Sequence, residues 1–312
     1  MAPIAAFDDE LMILDGGLAT ELERRGQDVS GALWSAEVLR TAPEAIEQLH
    51  YDYFAAGARC AISASYQASY EGYAACGLGS DETTGLLRRS VELAHSARAR
   101  YRRDHPADRR RLYVAASVGP YGAITHDGAE YRGDYGLTKE QLVEFHARRF
   151  GVLATAGADF LACETIPLLD EGLALATLLA QYPDALAWVS FTSANGTHTA
   201  HGEALAECAR LLDRVPNAIA IGVNCVRPEI VGDAIRELRA GTGKPIVVYP
   251  NSGECWDAQT RSWHGSWDHE SLAGLALQWV SAGARMIGGC CRIGPREITA
   301  LDQALSHVHS RT

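Results

Sequence analysis

Lysine is almost missing from this chain: of its 28 basic residues only Lys139 and Lys244 are lysines, the rest arginine. Positive charge as a whole is also short. Against those 28 stand 39 Asp and Glu, a net charge of -11, which repels phosphate backbones and excludes nucleic acid as an expected partner. The one dense basic stretch, Arg98 to Arg111, alternates Arg with Asp and His and reads as a solvated loop. No apolar run approaches the ~18 residues that span a bilayer. Met1 to Glu10 carries acids where a signal peptide carries a basic start. The expectation is a cytoplasmic protein without a membrane partner, a monomer or a small homo-oligomer.

Other absences narrow the function. No Ser/Gly linker, low-complexity segment or shift in composition divides the 312 residues, so 1–312 reads as a single domain. Gly77-Leu-Gly79 lacks a third glycine, and Gly241-Thr-Gly243-Lys244-Pro245 lacks both the spacing and the Ser/Thr of a P-loop; neither is a phosphate cradle. The first strand is not followed by the His-x-His of metal-dependent barrel hydrolases, which weakens a hydrolase reading. His198 and His201 lie in a polar loop after Asn195-Gly196 and read as loop residues rather than a ligand pair.

What the chain does have is a repeat of short β-branched or apolar runs, each followed by a longer stretch with helical apolar spacing. The runs are Leu11–Leu14, Arg59–Ser63, Leu112–Val118, Asp159–Cys163, Leu186–Ser190, Ala218–Val223, Pro245–Tyr249 and Arg285–Gly288. The helical stretches are Pro43–Ala56, Asp81–Tyr101, Thr138–Ala156, Asp170–Gln181, Glu203–Val215, Pro228–Ala240, His269–Ala282 and Pro295–His309. Strict alternation calls for parallel strands joined by crossover helices, because parallel neighbours cannot be linked by tight hairpins. Eight units close a barrel, so the expected fold is a single (β/α)8 TIM barrel, with a doubly wound open sheet as the alternative. Ala-Gly-Ala recurs before strands at Gly57, Gly157 and Gly283, where glycine can take the left-handed conformation that ends a helix.

In such a barrel the chemistry lies at the C-terminal ends of the strands. Those positions hold Asp15-Gly16-Gly17, Ser63-Ala64-Ser65-Tyr66, Gly119-Pro120-Tyr121-Gly122, Cys163-Glu164-Thr165, Asn224-Cys225, Tyr249-Pro250-Asn251 and Cys290-Cys291. The chain's 8 cysteines are spread unlike a disulfide scaffold. Three of them, Cys225, Cys290 and Cys291, fall at strand ends that face one mouth. Three thiolates without a fourth protein ligand describe an open, catalytic-type Zn2+ site. Consecutive residues of a strand point to opposite faces, so Gly288-Gly289 is expected to break the strand geometry and let both sulfurs turn inward. The other five cysteines read as buried small hydrophobes, Cys163 beside Glu164 being the one to watch.

Four motifs then carry a resemblance: Asp15-Gly-Gly-Leu-Ala-Thr-Glu-Leu-Glu23, Gly222-Val-Asn-Cys225, Tyr249-Pro-Asn-Ser-Gly-Glu254 and Gly288-Gly-Cys-Cys-Arg292. Together they resemble the zinc-dependent homocysteine S-methyltransferases, from about Leu14 to the last helix. Gly119-Pro-Tyr-Gly-Ala followed by Asp127-Gly-Ala-Glu-Tyr-Arg-Gly-Asp-Tyr135 resembles the branch using S-methylmethionine or S-adenosylmethionine rather than betaine. The chain is too short for the folate and cobalamin modules of the cobalamin-dependent methionine synthases. It departs from the family at Ala64, where relatives carry a polar Asn.

The resemblance implies methyl transfer from a sulfonium to the thiol of homocysteine. It implies Cys225, Cys290 and Cys291 as metal ligands, Asp15 and Glu164 for the substrate ammonium, and backbone N–H groups around Gly16 and Gly17 for its carboxylate. Asn224, counted with the substrate-binding residues, orients the zinc-site backbone or ligand, a structural strand-end amide being the alternative. Aromatic faces attract a sulfonium cation, and Trp34, Tyr66, Tyr121, Tyr131 and Trp256 are the loop-placed candidates. The competing readings are a cysteine-rich redox or metal-binding barrel without methyl transfer, a betaine-using enzyme, and a hydrolase retaining only the scaffold.

Overall fold

The computed structural model describes residues 11–31, 33–125, 127–257, 262–265 and 269–306, and in 255–257, 262–263 and 269–271 the backbone alone. Seven strands come first: β1 (Met12–Ile13), β2 (Cys60–Ile62), β3 (Tyr113–Val118), β4 (Phe160–Ile166), β5 (Ala187–Phe191), β6 (Ala218–Asn224) and β7 (Ile246–Tyr249). A short antiparallel hairpin, β8 (Cys255–Asp257) and β9 (Ser262–His264), interrupts before the eighth sheet strand, β10 (Ala284–Ile287). The sheet order is β1-β10-β7-β6-β5-β4-β3-β2, and every neighbouring pair is parallel. Its two edges meet through a parallel bridge between Leu14 and Cys60. Asp15 N–H donates to the Cys60 carbonyl (3.0 Å) and Arg59 N–H to that of Ile13 (2.7 Å). The ring is a (β/α)8 barrel, as the alternation predicts, and not an open sheet.

Strand alternation sorts the core into two shells. In β5, Trp188 points into the barrel, where it packs with Leu14, Cys60, Phe160, Tyr249 and Met286. Val189 and Phe191 instead join the outer shell under the helices. Removing a ring such as that of the fully buried Trp188 costs roughly 3–5 kcal/mol. The interior is a packed plug, so any cleft must lie above it.

Eight helices follow the predicted stretches: α3 (Pro43–Ala55), α5 (Ser80–Asp104), α6 (Lys139–Ala154), α7 (Leu169–Leu179), α8 (Leu205–Leu212), α9 (Val231–Gly241), α10 (His269–Ala282) and α11 (Pro295–Ser306). Their termini are locally encoded. Pro43 opens α3, and Thr138 with Gln141 forms a reciprocal capping box at α6. Gly57, Gly157 and Gly283 all take positive φ (114°, 85° and 116°), so the Ala-Gly-Ala turns do end helices as expected. Pro228–Ile230 forms a separate 3-10 turn ahead of α9, and the end of the Pro295–His309 stretch lies outside the described residues.

Three short helices have no counterpart among the predicted stretches: α1 (Leu18–Arg24), α2 (Ser35–Thr41) and α4 (Tyr70–Ala75). Segments of about two turns are too short for apolar periodicity to register. The basic stretch also differs from its expectation. Arg98 to Asp104 completes α5, Arg98 pairs with Asp159 (2.6 Å), and Arg110 pairs with Asp108 (2.7 Å) while donating to the Gly57 carbonyl (2.9 Å). Neighbouring carboxylates pin these arginines instead of leaving them in a solvated loop. Among the described residues no helix is long and apolar enough to cross a membrane.

Candidate metal centre and substrate cleft

A cleft opens above the plug at the C-terminal strand ends. The Sγ atoms of Cys225, Cys290 and Cys291 lie within 4.8 Å of one another on its wall, with Cys225 and Cys291 3.6 Å apart. The set fits an open metal site in its chemistry: three soft sulfur donors, with no His or carboxylate among the clustered ligand atoms. The hydroxyl of Tyr131 stands 3.2 Å from Cys225 Sγ. Hydrogen bonds from Cys290 and Cys291, then from Tyr131, draw the Cys225 thiol well below its ordinary range. Their hydrogen bonds to Cys225, with burial, hold the other two thiols well above theirs.

Backbone geometry brings these sulfurs together, and the strand breaks at the glycines as expected, though close packing rather than a left-handed turn is what calls for them. β10 stops at Ile287. Gly288 N–H then donates to the Val248 carbonyl (3.1 Å), Gly289 N–H to that of Asp15 (2.9 Å) and Cys290 N–H to that of Pro250 (2.7 Å). Neither glycine needs a positive φ; what each needs is space. A Cβ on Gly288 would lie 2.6 Å from Leu14 Cβ, and one on Gly289 2.2 Å from Ile293 Cγ2. The left-handed residues are Cys225 (φ 51°) and Arg292 (φ 65°), both non-glycine, and strain of this kind costs about 1–3 kcal/mol at each.

The Gly16-Gly17 pair has the same explanation. A Cβ on Gly17 would meet the Cys290 carbonyl oxygen at 2.5 Å, and one on Gly16 the Ile293 carbonyl oxygen at 2.2 Å. The loop after β1 therefore lies directly against the Cys290-Cys291 segment. Gly17 N–H donates to the Ile293 carbonyl (2.8 Å) and so drops out of the group of N–H donors expected to face a carboxylate, while Gly16 itself lines the cleft.

Glu164, at the end of β4, lines the cleft and is buried. The Ser117 hydroxyl donates to it and Tyr249 adds a hydroxyl contact, yet burial prevails and pushes its carboxyl up to about 7. Asp15 lies beneath the cleft rather than on its surface. Its Oδ2 accepts from Ile62 N–H (2.8 Å), its Oδ1 is buried without a partner, and burial raises its carboxyl well above the usual range. Asn224 does not reach the cleft. Its Oδ1 accepts from Thr165 N–H and Ser190 Oγ (2.7 Å each) and its Nδ2 donates to Thr165 Oγ1 (2.8 Å), which holds Thr165 at φ 61° beside Glu164. These bonds tie the end of β6 to the ends of β4 and β5.

The aromatic candidates divide. Trp34, Tyr66 and Tyr131 line the cleft. Tyr121 does not: its ring packs on Tyr135 and Phe145 at centroid distances of 5.1 and 5.0 Å. Trp256 falls in β8, and its side chain is outside the described residues. Ala64 lines the cleft as well. His201 pairs with Glu203 (2.7 Å) and, with His198, stays out of the metal cluster. Cys163 is buried in the outer shell, where desolvation pushes its thiol up to about 12.

One cleft residue escaped the sequence reading. Glu130 sits on a 3-10 turn, Ala129–Tyr131, with a carboxyl that burial pushes up to about 7 and an Oε2 with no hydrogen-bond partner. Its signal was available, since it lies inside the Asp127–Tyr135 motif, but only the fold shows that the turn faces the cysteines.

Comparison with known proteins agrees with this geometry. The family profile described as homocysteine S-methyltransferase matches residues 12–305. The chain is 47% identical over 290 residues to homocysteine S-methyltransferase YbgG of Bacillus subtilis, covering 92% of each chain. It is 48% identical over 302 residues to the homocysteine S-methyltransferase of Escherichia coli, covering 96% of this chain and 97% of that one. The crystal structure of the metallated form of the homocysteine methyltransferase MmuM from Escherichia coli superposes with a TM-score of 0.87 at 45% identity, over 96% of this chain and 98% of the other. With eight parallel strands in a ring, three converging thiols and this extent of similarity, the chain belongs to the homocysteine S-methyltransferase family.

Proposed function

We propose that this protein moves a methyl group from a sulfonium donor, S-methylmethionine or S-adenosylmethionine, to the thiol of homocysteine, giving methionine. The observation that carries the reading is the convergence of Cys225, Cys290 and Cys291 on a cleft that also presents the buried carboxylate of Glu164. The three cysteines would hold zinc, which when bound keeps a coordinated substrate thiol deprotonated at neutral pH.

The chain's own residues supply the rest. Glu164 and the unpaired Oδ1 of Asp15 receive the homocysteine ammonium, and the charge of that ammonium offsets the cost of burying two acids. Gly16 N–H donates to the substrate carboxylate. Asn224 fixes Thr165, and through it the strand end that carries Glu164. On the donor side Trp34, Tyr66 and Tyr131 present ring surface to the sulfonium. The acceptor sulfur uses a lone pair to form the new S–CH3 bond. The old C–S bond breaks with its electrons returning to the donor sulfur, which leaves as a neutral thioether.

The test is a single assay of the zinc-loaded protein with homocysteine and, in turn, S-methylmethionine, S-adenosylmethionine and betaine. Methionine should form with either sulfonium far faster than with betaine, because a sulfonium methyl is the better electrophile, and a chelator should abolish it. Betaine turnover at or above both sulfonium rates would overturn the donor assignment.

A further inference from the structure

We propose that Glu130 is the residue that recognises the positive charge of the methyl donor, which makes it the specificity determinant of the donor half of the cleft. This rests on the methyl-transfer reading above and extends it to a residue with no other task in the fold.

Three observations meet at Glu130. Its Oε2 is sealed from solvent and lacks any hydrogen-bond partner, an arrangement that is unfavourable for a charged group unless a cation arrives. The nearby Arg132 is not that cation, since its guanidinium is engaged by Asp127 and Asp134 at 3.2 Å each. Among the described residues, no Lys or Arg lines the cleft. The carboxylate is thus held for something that enters from outside.

The backbone beneath it is built to be firm. Gly128 takes φ 78°, Asp127 accepts from Ala129 N–H (3.0 Å), and the Glu130 carbonyl accepts from the Thr192 hydroxyl (3.2 Å). A Cβ on Gly122 would lie 2.4 Å from Glu130 N, so the turn packs directly on the preceding loop. Below, Glu171 accepts from Tyr121 N–H (2.6 Å) and from the Tyr135 hydroxyl (3.2 Å), clamping both ends of the segment. The next residue, Tyr131, reaches Cys225 Sγ. Glu130 is thereby fixed one residue from the metal centre, on a different strand loop from Asp15 and Glu164.

The number of charges separates the roles. The acceptor's one ammonium needs no more than the Asp15 and Glu164 pair, whereas an amino-acid sulfonium donor brings two further cations, its own ammonium and a sulfonium with no N–H or O–H on the charged sulfur. A carboxylate can attract such a centre without hydrogen bonds. The sulfonium loses its charge as the methyl leaves, so this attraction is stronger in the bound donor than in the transition state. It should lower the donor KM without raising kcat.

Steady-state kinetics of the zinc-loaded protein with S-methylmethionine test the assignment. Glu130→Gln should raise the donor KM about tenfold or more, with kcat changed less than about threefold, homocysteine KM within about twofold and bound zinc unchanged. Glu130→Asp, which keeps the charge with a shorter reach, should recover part of the loss, and it carries the same test if the Gln variant does not fold. An unaltered donor KM, an equal rise in homocysteine KM, or loss of zinc overturns the proposal. If the unmutated protein methylates homocysteine with neither sulfonium donor, the functional reading itself has failed.

Discussion

Glu164 offers a perturbation whose effects on stability and on function should run in opposite directions. Its carboxyl is pushed up to about 7 from an ordinary 4.5, because burial outweighs the hydroxyls of Ser117 and Tyr249. The folded state therefore holds this proton more tightly than the unfolded chain does. Stability contributed by the protonated form is complete below about 4.5, falls as pH rises and levels off above about 7. The full loss is on the order of 3 kcal/mol, from 1.36 kcal/mol for each pKa unit between those values. Glu164→Gln keeps an acceptor for the two hydroxyls but carries no charge to bury. Without substrate, the variant should be more stable than the parent at pH 8 by up to about 3 kcal/mol and nearly equal to it at pH 4.5. It should at the same time bind homocysteine at least tenfold more weakly, as expected when a charged partner is removed. Urea unfolding at the two pH values and the homocysteine KM measure the two effects. A variant less stable than the parent at pH 8, or a stability difference independent of pH, would refute the argument that an unpaired charge is kept here for binding.

The remaining expectations are more direct. Replacing Cys225, Cys290 or Cys291 singly by Ala should cut bound zinc and abolish turnover, as read by metal analysis, and full occupancy in all three variants would sink the metal assignment. Asp15→Asn should raise the homocysteine KM while leaving zinc in place, since the unpaired Oδ1 is buried and is not among the clustered ligand atoms; an unchanged KM would remove Asp15 from the acceptor site. Gly17→Ala drives a methyl into the Cys290 carbonyl. Overpacking of that kind costs roughly 1–3 kcal/mol, and the thermal midpoint and zinc content should fall together.

Much of the architecture is legible in the sequence because it is encoded locally. Helix starts are marked by Pro43 and by Thr138 with Gln141, helix ends by glycines 57, 157 and 283, and eight apolar runs space the strands. Parallel pairing then follows, since no hairpin can join such units, and the barrel assigns Cys225, Cys290 and Cys291 to one mouth before any coordinates are known. Side-chain partners across the barrel are a different matter. Tyr121 and Tyr131 read alike in sequence, yet one packs on Tyr135 and Phe145 while the other reaches Cys225. The amide of Asn224 is consumed by Thr165 and Ser190, 59 and 34 residues away, and Gly17 N–H by Ile293. Glu130 looks like any exposed acid of a polar loop until the turn that carries it is folded against Gly122 and Thr192. Local torsional preference and apolar period are properties of neighbouring residues, so they can be read along the chain. Burial and the lack of a partner depend on which distant groups fill the remaining space, and only the packed tertiary structure determines them.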